Sequence, residues 1–279
     1  MDRQIKGRTA LNALAIVLAL AWASPVYWMV NSSFLSNRTL QSFVPTFVPF
    51  GGSFRNFSEV FADKGFARAL GMSLVIAALV VTVCLLFAFF AALAISRFRF
   101  RGRKSLLLAI LLIQMLPAEA LFIAQYKMMS SLGLLNSVIG VTIIYTAAVV
   151  PITIWMIRGF VAGVPVDLEE AAMVDGLTRR SAFMKITFPL LAPGLVAAGV
   201  FAFLQAWNEF TVALVLLPAE SVQTLPLWLR GFVQASATRD TDWGQVMAAS
   251  TLVAVPVIVF FLIVQGRMTS GLVAGSVKG

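Results

Sequence analysis

Six apolar runs, each close to 20 residues long and nearly free of charge, dominate this chain. They lie near 11–31, 69–95, 105–125, 137–157, 194–217 and 246–266. A helix of about 20 residues crosses the roughly 30 Å hydrocarbon core of a bilayer. Inside that core the backbone finds no water, so only helices and closed barrels satisfy its N–H and C=O groups. The runs lack the period-two alternation of a barrel strand. The expected fold is therefore an all-α membrane protein of six transmembrane helices, forming a single transmembrane domain over residues 1–279.

The rest of the composition agrees. Hydrophobic residues make up 60% of the chain and charged residues 12%, against about a quarter charged in a soluble domain. A chain this poor in charge cannot cover a soluble surface, and it must place most of its exterior in lipid. The first run has the grammar of a signal peptide, with Arg3, Lys6 and Arg8 before it and Ala21-Trp22-Ala23 inside it. Its apolar stretch continues through Val30, which is long enough to span, and it is read as a retained first span.

Charge sets the orientation. With the N-terminus inside, the cytoplasmic segments are 1–10, 96–104, 158–193 and 267–279, and they hold 14 of the 21 Lys and Arg residues. The strongest contribution is Arg97, Arg99, Arg101, Arg103 and Lys104, packed between two long runs. This asymmetry explains the net charge of +9 without nucleic acid, and contact with lipid headgroups is compatible with it. The longest external segment, 32–68, carries Phe43, Phe47, Phe50, Phe54 and Phe57 among Pro45, Pro49, Gly51 and Gly52. It reads as a packed loop near the interface with surface for an external partner.

Several chemistries are excluded. There is no histidine and one cysteine, which removes zinc hydrolysis, Ser-His-Asp catalysis and any internal disulfide. Cys84 sits in an apolar run and reads as a small buried hydrophobe. No Gly-Lys dipeptide occurs, so the chain has no P-loop with which to hydrolyse ATP.

The segment 158–193 is too polar to span. Gly163-Val164-Pro165 ends the preceding element, and Asp167-Leu168-Glu169-Glu170 reads as a helix start. Asp167 is expected to cap it with Glu170 reaching back, the three carboxylates suiting the positive end of the helix dipole. Gly176 is expected to stop this helix. Thr178 should cap a second short helix that Pro189 ends.

Those residues resemble a known pattern. Glu169-Glu170-Ala171-Ala172, then Asp175-Gly176, then Ile186, Pro189 and Leu190 are similar to the EAA loop of binding-protein-dependent ABC transporter permeases. Trp207-Asn208-Glu209-Phe210 resembles a stretch of the carbohydrate-uptake branch, and Gly271-Leu272 through Gly275-Ser276-Val277-Lys278-Gly279 resembles its tail. Gln125 stands before Tyr126, where the family often has proline. The resemblance covers almost the whole chain and is closest in kind to the smaller six-span permease of maltose-type importers. It implies a non-catalytic subunit of the cytoplasmic membrane, working beside a second related permease, two ATP-binding subunits and an external solute-binding protein. No cofactor would be bound by this chain, ATP and Mg belonging to the ATPases. The loop 165–190 would couple to an ATPase through Glu169, Glu170, Ala171, Ala172, Asp175, Gly176 and Pro189. The tail residues Gly275, Ser276, Val277 and Lys278 would also reach the ATPase pair.

Carboxylates inside apolar runs are costly and normally face protein or a water-filled path. Glu119 and Glu209 are of this kind. With Gln205, Trp207 and Asn208 they are candidate contacts for a carbohydrate, against a plain interhelix role for Glu209 and a packing role for Trp155. Pro117, Pro151 and Pro256 are expected to bend spans. A proton-coupled secondary transporter using Glu119 and Glu209 is the alternative reading.

Overall fold

The computed structural model describes residues 2–237 and 241–275, with side chains placed for 11–117, 120–235 and 241–266. In chain order the helices are α1 (Asp2–Ser33), α2 (Asn37–Leu40), α3 (Arg55–Ala62), α4 (Lys64–Arg97), α5 (Arg103–Gln114), α6 (Ala118–Ser131) and α7 (Val138–Gly163). They continue as α8 (Asp167–Val174), α9 (Arg179–Ala182), a π-turn (Phe183–Thr187), α10 (Phe188–Asn208), α11 (Thr211–Leu216), a 3-10 turn (Glu220–Val222), α12 (Leu225–Ala237) and α13 (Trp243–Gly275). No strand occurs among the described residues.

Among the described residues five helices are long and apolar enough to cross a membrane: Leu11–Ser33, Lys64–Arg97, Val138–Gly163, Arg179–Asn208 and Trp243–Gly266. Two expectations need correction. The run 105–125 is not one helix but α5 and α6, parted at Met115-Leu116-Pro117. Proline has no N–H to give an i−4 carbonyl and its ring crowds that carbonyl, so Pro117 opens α6 from an extended conformation rather than bending a continuous span. The run 194–217 begins earlier and stops at Asn208, because the chain turns extended at Glu209 before α11. Pro151 and Pro256, in contrast, lie inside α7 and α13.

The chain divides into two compact units. In residues 1–66 with 229–256 the connection after α1 is pinned by polar side chains. Asn31 Nδ2 donates to Thr46 O (2.7 Å), and Asn56 Nδ2 donates to Ser33 O and Leu35 O (both 2.9 Å). Phe34 packs edge-on against Phe54, with centroids 5.2 Å apart. Phe43 and Phe50 of the same connection are exposed. Asn56 is buried, so Asn56→Ala orphans two carbonyl acceptors. It is expected to cost about 2 kcal/mol, read as a lower melting temperature in detergent with wild-type membrane insertion.

In residues 67–228 with 257–279 the interior is built on α7 and α10. Ala88, Ala92 and Ile95 of α4, Ile110 of α5, Ile154, Ile157 and Val161 of α7, and Leu191 and Ala198 of α10 form one apolar cluster. Small residues at these positions let the helix backbones approach. Gly194 carries the closest approach, since a methyl group there would fall within the ring of Phe160. Cys84 is fully buried and donates from Sγ to Thr153 Oγ1 (3.3 Å).

Both ends of this unit are tied across the fold. At one end Arg97 Nη2, closing α4, donates to Val164 O just after α7 (3.3 Å). At the other, Asn136 adopts φ 55°, a left-handed conformation asparagine tolerates. Its N–H donates to Leu216 O (2.8 Å), and its Oδ1 accepts from Ala219 N (2.9 Å). Between the two, Gln114 Nε2 at the end of α5 donates to Ala148 O in the middle of α7 (3.3 Å).

Candidate functional site

The segment after α7 folds as two elements joined by a tight turn. Helix α8 starts one residue earlier than its sequence suggests. Val166 is the N-cap and accepts at its carbonyl from Glu169 N (2.9 Å) and Glu170 N (3.2 Å). The Asp167–Glu170 capping box is therefore not formed, and no side chain caps α8. Val166 already has helical backbone angles, which places Asp167 inside the first turn. The carboxylates of Asp167, Glu169 and Glu170 still stand in that turn, where the dipole favours them.

Gly176 ends α8 with φ 91°, a conformation that costs any residue with a Cβ. Leu177 N donates to Ala172 O and Gly176 N to Met173 O, both at 3.1 Å. These are the two bonds of a Schellman motif, and they satisfy carbonyls that would otherwise be orphaned. Thr178 caps the next element as expected, its Oγ1 accepting from Ser181 N (3.3 Å). Pro189 does not end that element. The π-turn precedes it, and the helix continues through Pro189 to Asn208. Pro189 lies in the first turn of α10, where the missing N–H is tolerated because the wider π-turn has already interrupted the i−4 ladder.

The faces of α8 differ. Ala172 is buried at 8% exposure, while Leu168, Met173 and especially Val174 (87%) are exposed together with Glu170, Ala171 and Asp175. The short helix, closed by glycine, thus shows apolar and acidic side chains outward together. Glu169 turns the other way. Its Oε1 accepts from Thr187 Oγ1 (2.7 Å) and lies 3.2 Å from Arg97 Nη2. Sequence reasoning missed Arg97 and Thr187. Arg97 lies inside a charge cluster that topology already explains, and Thr187 is an ordinary position two residues before a proline.

The second group of candidates surrounds the break at Glu209. Its Oε1 accepts from Val212 N (2.7 Å) and its Oε2 from Ala213 N (3.1 Å), so the carboxylate caps α11. The other residues of this stretch separate by helix face. Trp207 is buried and stacked on Phe203 (5.5 Å, 22°), whereas Gln205 and Asn208 are exposed. Asn208 Nδ2 donates to Leu204 O of its own helix (2.9 Å). Trp155 holds the Arg158 guanidinium over its ring at 5.0 Å. The side chain of Glu119 and the tail residues Ser276, Val277 and Lys278 lie outside the described residues, and Gly275 closes α13.

Buried polar groups without a hydrogen-bond partner include Trp207 Nε1, the hydroxyls of Thr142 and Thr146, and Gln125 Oε1. The buried Tyr145 hydroxyl interacts with the Glu209 carboxylate. Threonines 142 and 146 and Tyr145 share one face of α7 by their i, i+3, i+4 spacing. Unpaired buried groups of this kind are satisfied by water or by solute hydroxyls. Among the described residues no group of His, Cys, Asp and Glu is arranged to hold a metal.

The resemblance read from the loop is borne out. Residues 84–272 match the binding-protein-dependent transport system inner membrane component. Over 279 residues, all of both chains, the protein is 39% identical to the diacetylchitobiose uptake system permease protein DasC of Streptomyces coelicolor. It is 32% identical to the trehalose transport system permease protein SugB of Mycobacterium tuberculosis, over 96% of each chain. It is 31% identical to the trehalose/maltose transport system permease protein MalG of Thermococcus litoralis, over all of both chains. Among solved structures, a chain of a bacterial ABC transporter importing the acidic polysaccharide alginate superposes with a TM-score of 0.76 at 25% identity. The match covers 94% of this chain and 96% of that one. By these relationships the chain belongs to the binding-protein-dependent inner-membrane transport components, as a multi-pass transport subunit of the inner membrane.

Proposed function

We propose that this chain is one of two permeases in an ATP-driven importer for a carbohydrate. The observation that carries the reading is α8, whose exposed Leu168, Ala171 and Val174 stand beside Glu170 and Asp175 on a helix closed by Gly176. An ATPase cleft fits such a projection: apolar contact supplies burial, and basic groups pair with the two carboxylates. Pro189 directs the displacement of the loop 165–190 into α10. The tail from Gly275 through Lys278 forms a second ATPase contact. The chain itself is non-catalytic and holds no cofactor, ATP and Mg residing on two partner subunits. Binding-protein-dependent relatives favour this reading over proton-coupled transport, and the capping role of Glu209 leaves that carboxylate occupied.

The same reading includes six crossings with both termini cytoplasmic, in one transmembrane domain. Its support is geometric. Helices α4 and α7 are both long enough to cross, and the bond from Arg97 to Val164 brings their ends to one side. The chain between them must then return. Helices α5 and α6 together supply 26 residues, about 39 Å of helix, with Gln114 at mid-depth beside Ala148. They serve as one broken span. Discontinuous helices are where transporters place solute contacts. The breaks at Pro117 and Glu209, with the unpaired groups of Gln125 and Trp207 and the contact of Tyr145 with Glu209, support a path there. Transport proceeds there by alternating access.

The substrate class follows from the relatives, whose names specify diacetylchitobiose, trehalose and maltose. An external solute-binding protein delivers the sugar. The test is a mild-detergent pull-down with mass spectrometry of the partners. A P-loop ATPase and a second permease are expected. The co-purified binding protein is then titrated with diacetylchitobiose, trehalose and maltose by calorimetry. A chain that purifies alone and moves sugar in ATP-free vesicles overturns the reading.

A further inference from the structure

The two adjacent glutamates of the loop have different fates. Glu170 is exposed, whereas Glu169 is spent inside the chain. Its Oε1 accepts from Thr187 Oγ1 at 2.7 Å and stands 3.2 Å from Arg97 Nη2, which also donates to Val164 O at 3.3 Å. The side chains of Arg97 and Glu169 are only 18% and 14% exposed, and Thr187 is fully buried. Three elements meet at this one carboxylate: the end of α4, the first turn of α8 and the π-turn leading into α10.

Thr187 differs from Thr82, Thr153 and Thr251, which each donate to the carbonyl four residues back in their own helix. Thr187 lies in the π-turn, where the backbone bond runs from Phe188 N to Phe183 O, and its hydroxyl reaches across to Glu169 instead. A π-turn is a local irregularity that recurs where a helix does something besides support itself. The ion pair is also hard to exchange. Moving Glu169 to an outside partner would strand the Arg97 charge in a mostly buried place, which is strongly unfavourable.

We propose that Glu169 is a positioning residue, an internal strut that joins α8 to the ends of α4 and α10 so that the three move as one body. On this view Glu170 and Asp175 meet the ATPase, and Glu169 passes the resulting displacement to two spans at once. The inference rests on the coupling reading above, because it assigns the strut a load.

The experiment is a pulsed electron resonance measurement on the purified full complex. Spin labels replace the exposed Phe98, just past α4, and Asp167, in the first turn of α8, in a Cys84→Ala background. The expected result is one narrow interspin distance, unchanged between the nucleotide-free and ATP–vanadate-trapped states. In Glu169→Gln and Thr187→Val the distribution should broaden and shift with nucleotide. Thr187→Ser, which keeps the donor, should restore the narrow distance. The charge exchange Arg97→Glu with Glu169→Arg should restore it in part. A wild-type distance that changes with nucleotide overturns the strut, as does a narrow distance in Glu169→Gln. Loss of ATPase co-purification in Glu169→Gln with an unaltered distance makes Glu169 a docking contact and also overturns it. If wild type itself captures no ATPase, the coupling reading fails. The nucleotide-free comparison of wild type and Glu169→Gln on the chain alone still decides whether the clamp exists.

Discussion

Replacing Gly176 by valine is expected to abolish transport while leaving the chain inserted in the membrane. Nothing lies within 4 Å of where a Cβ would stand, so the effect is not a clash with a neighbour. It comes from the backbone. At φ 91° a β-branched residue is strained by about 1–3 kcal/mol. The chain relieves that strain by leaving the left-handed region, which breaks the bonds from Gly176 N to Met173 O and Leu177 N to Ala172 O. Helix α8 then loses its closing turn, and Leu168, Ala171 and Val174 lose their fixed direction. A drop in sugar uptake of about tenfold or more is expected, with wild-type amounts in the membrane fraction and reduced capture of the ATPase. Gly176→Asn is the control, since asparagine tolerates the left-handed region and should keep much of the activity. Normal uptake and normal ATPase capture by the valine variant would sink the docking role of this turn.

The second large effect belongs to Glu209. Glu209→Ala removes two charge-assisted bonds to the N–H groups of Val212 and Ala213, together about 3 kcal/mol. Helix α11 should fray and the break after Asn208 should lose its geometry, lowering both the melting temperature in detergent and uptake. Glu209→Gln keeps one acceptor oxygen and should fall between wild type and alanine in both measurements. That ordering separates a cap from a proton carrier. A carrier would lose transport fully in the glutamine variant, with its stability unchanged.

How much of this was legible in the residues depends on the range of the interaction involved. The Gly176 stop and the Thr178 cap were readable, because a φ preference and a hydroxyl three residues from an N–H are local properties. The capping box failed because Val166 is already helical, so Asp167 stands inside the first turn and not at the cap. Pro189 was misread for a different reason. A proline ends a helix only if the preceding turn keeps α-geometry, and the π-turn at Phe183–Thr187 does not. The interhelix role weighed for Glu209 became a cap on the next short helix, a use visible only once the chain is seen to break at that residue. The set Gln205, Trp207, Asn208 and Glu209 looked like one site in the sequence, but helical rotation turns Trp207 inward and Gln205 and Asn208 outward.

The sequence by itself determined that this chain lives in a membrane, because runs of 20 apolar residues leave no other solvent for them. It also determined that the chain has no Gly-Lys dipeptide with which to build a P-loop, and that a polar, glycine-punctuated loop between long helices carries the family signature. Only the tertiary structure decided which of two neighbouring glutamates faces outward. Residues 97, 169 and 187 are separated by 72 and 18 positions along the chain, and no local preference encodes their meeting. It follows from α4, α7 and α10 packing through alanine and glycine faces until their ends share one place, and from a π-turn that frees a threonine hydroxyl to cross the gap.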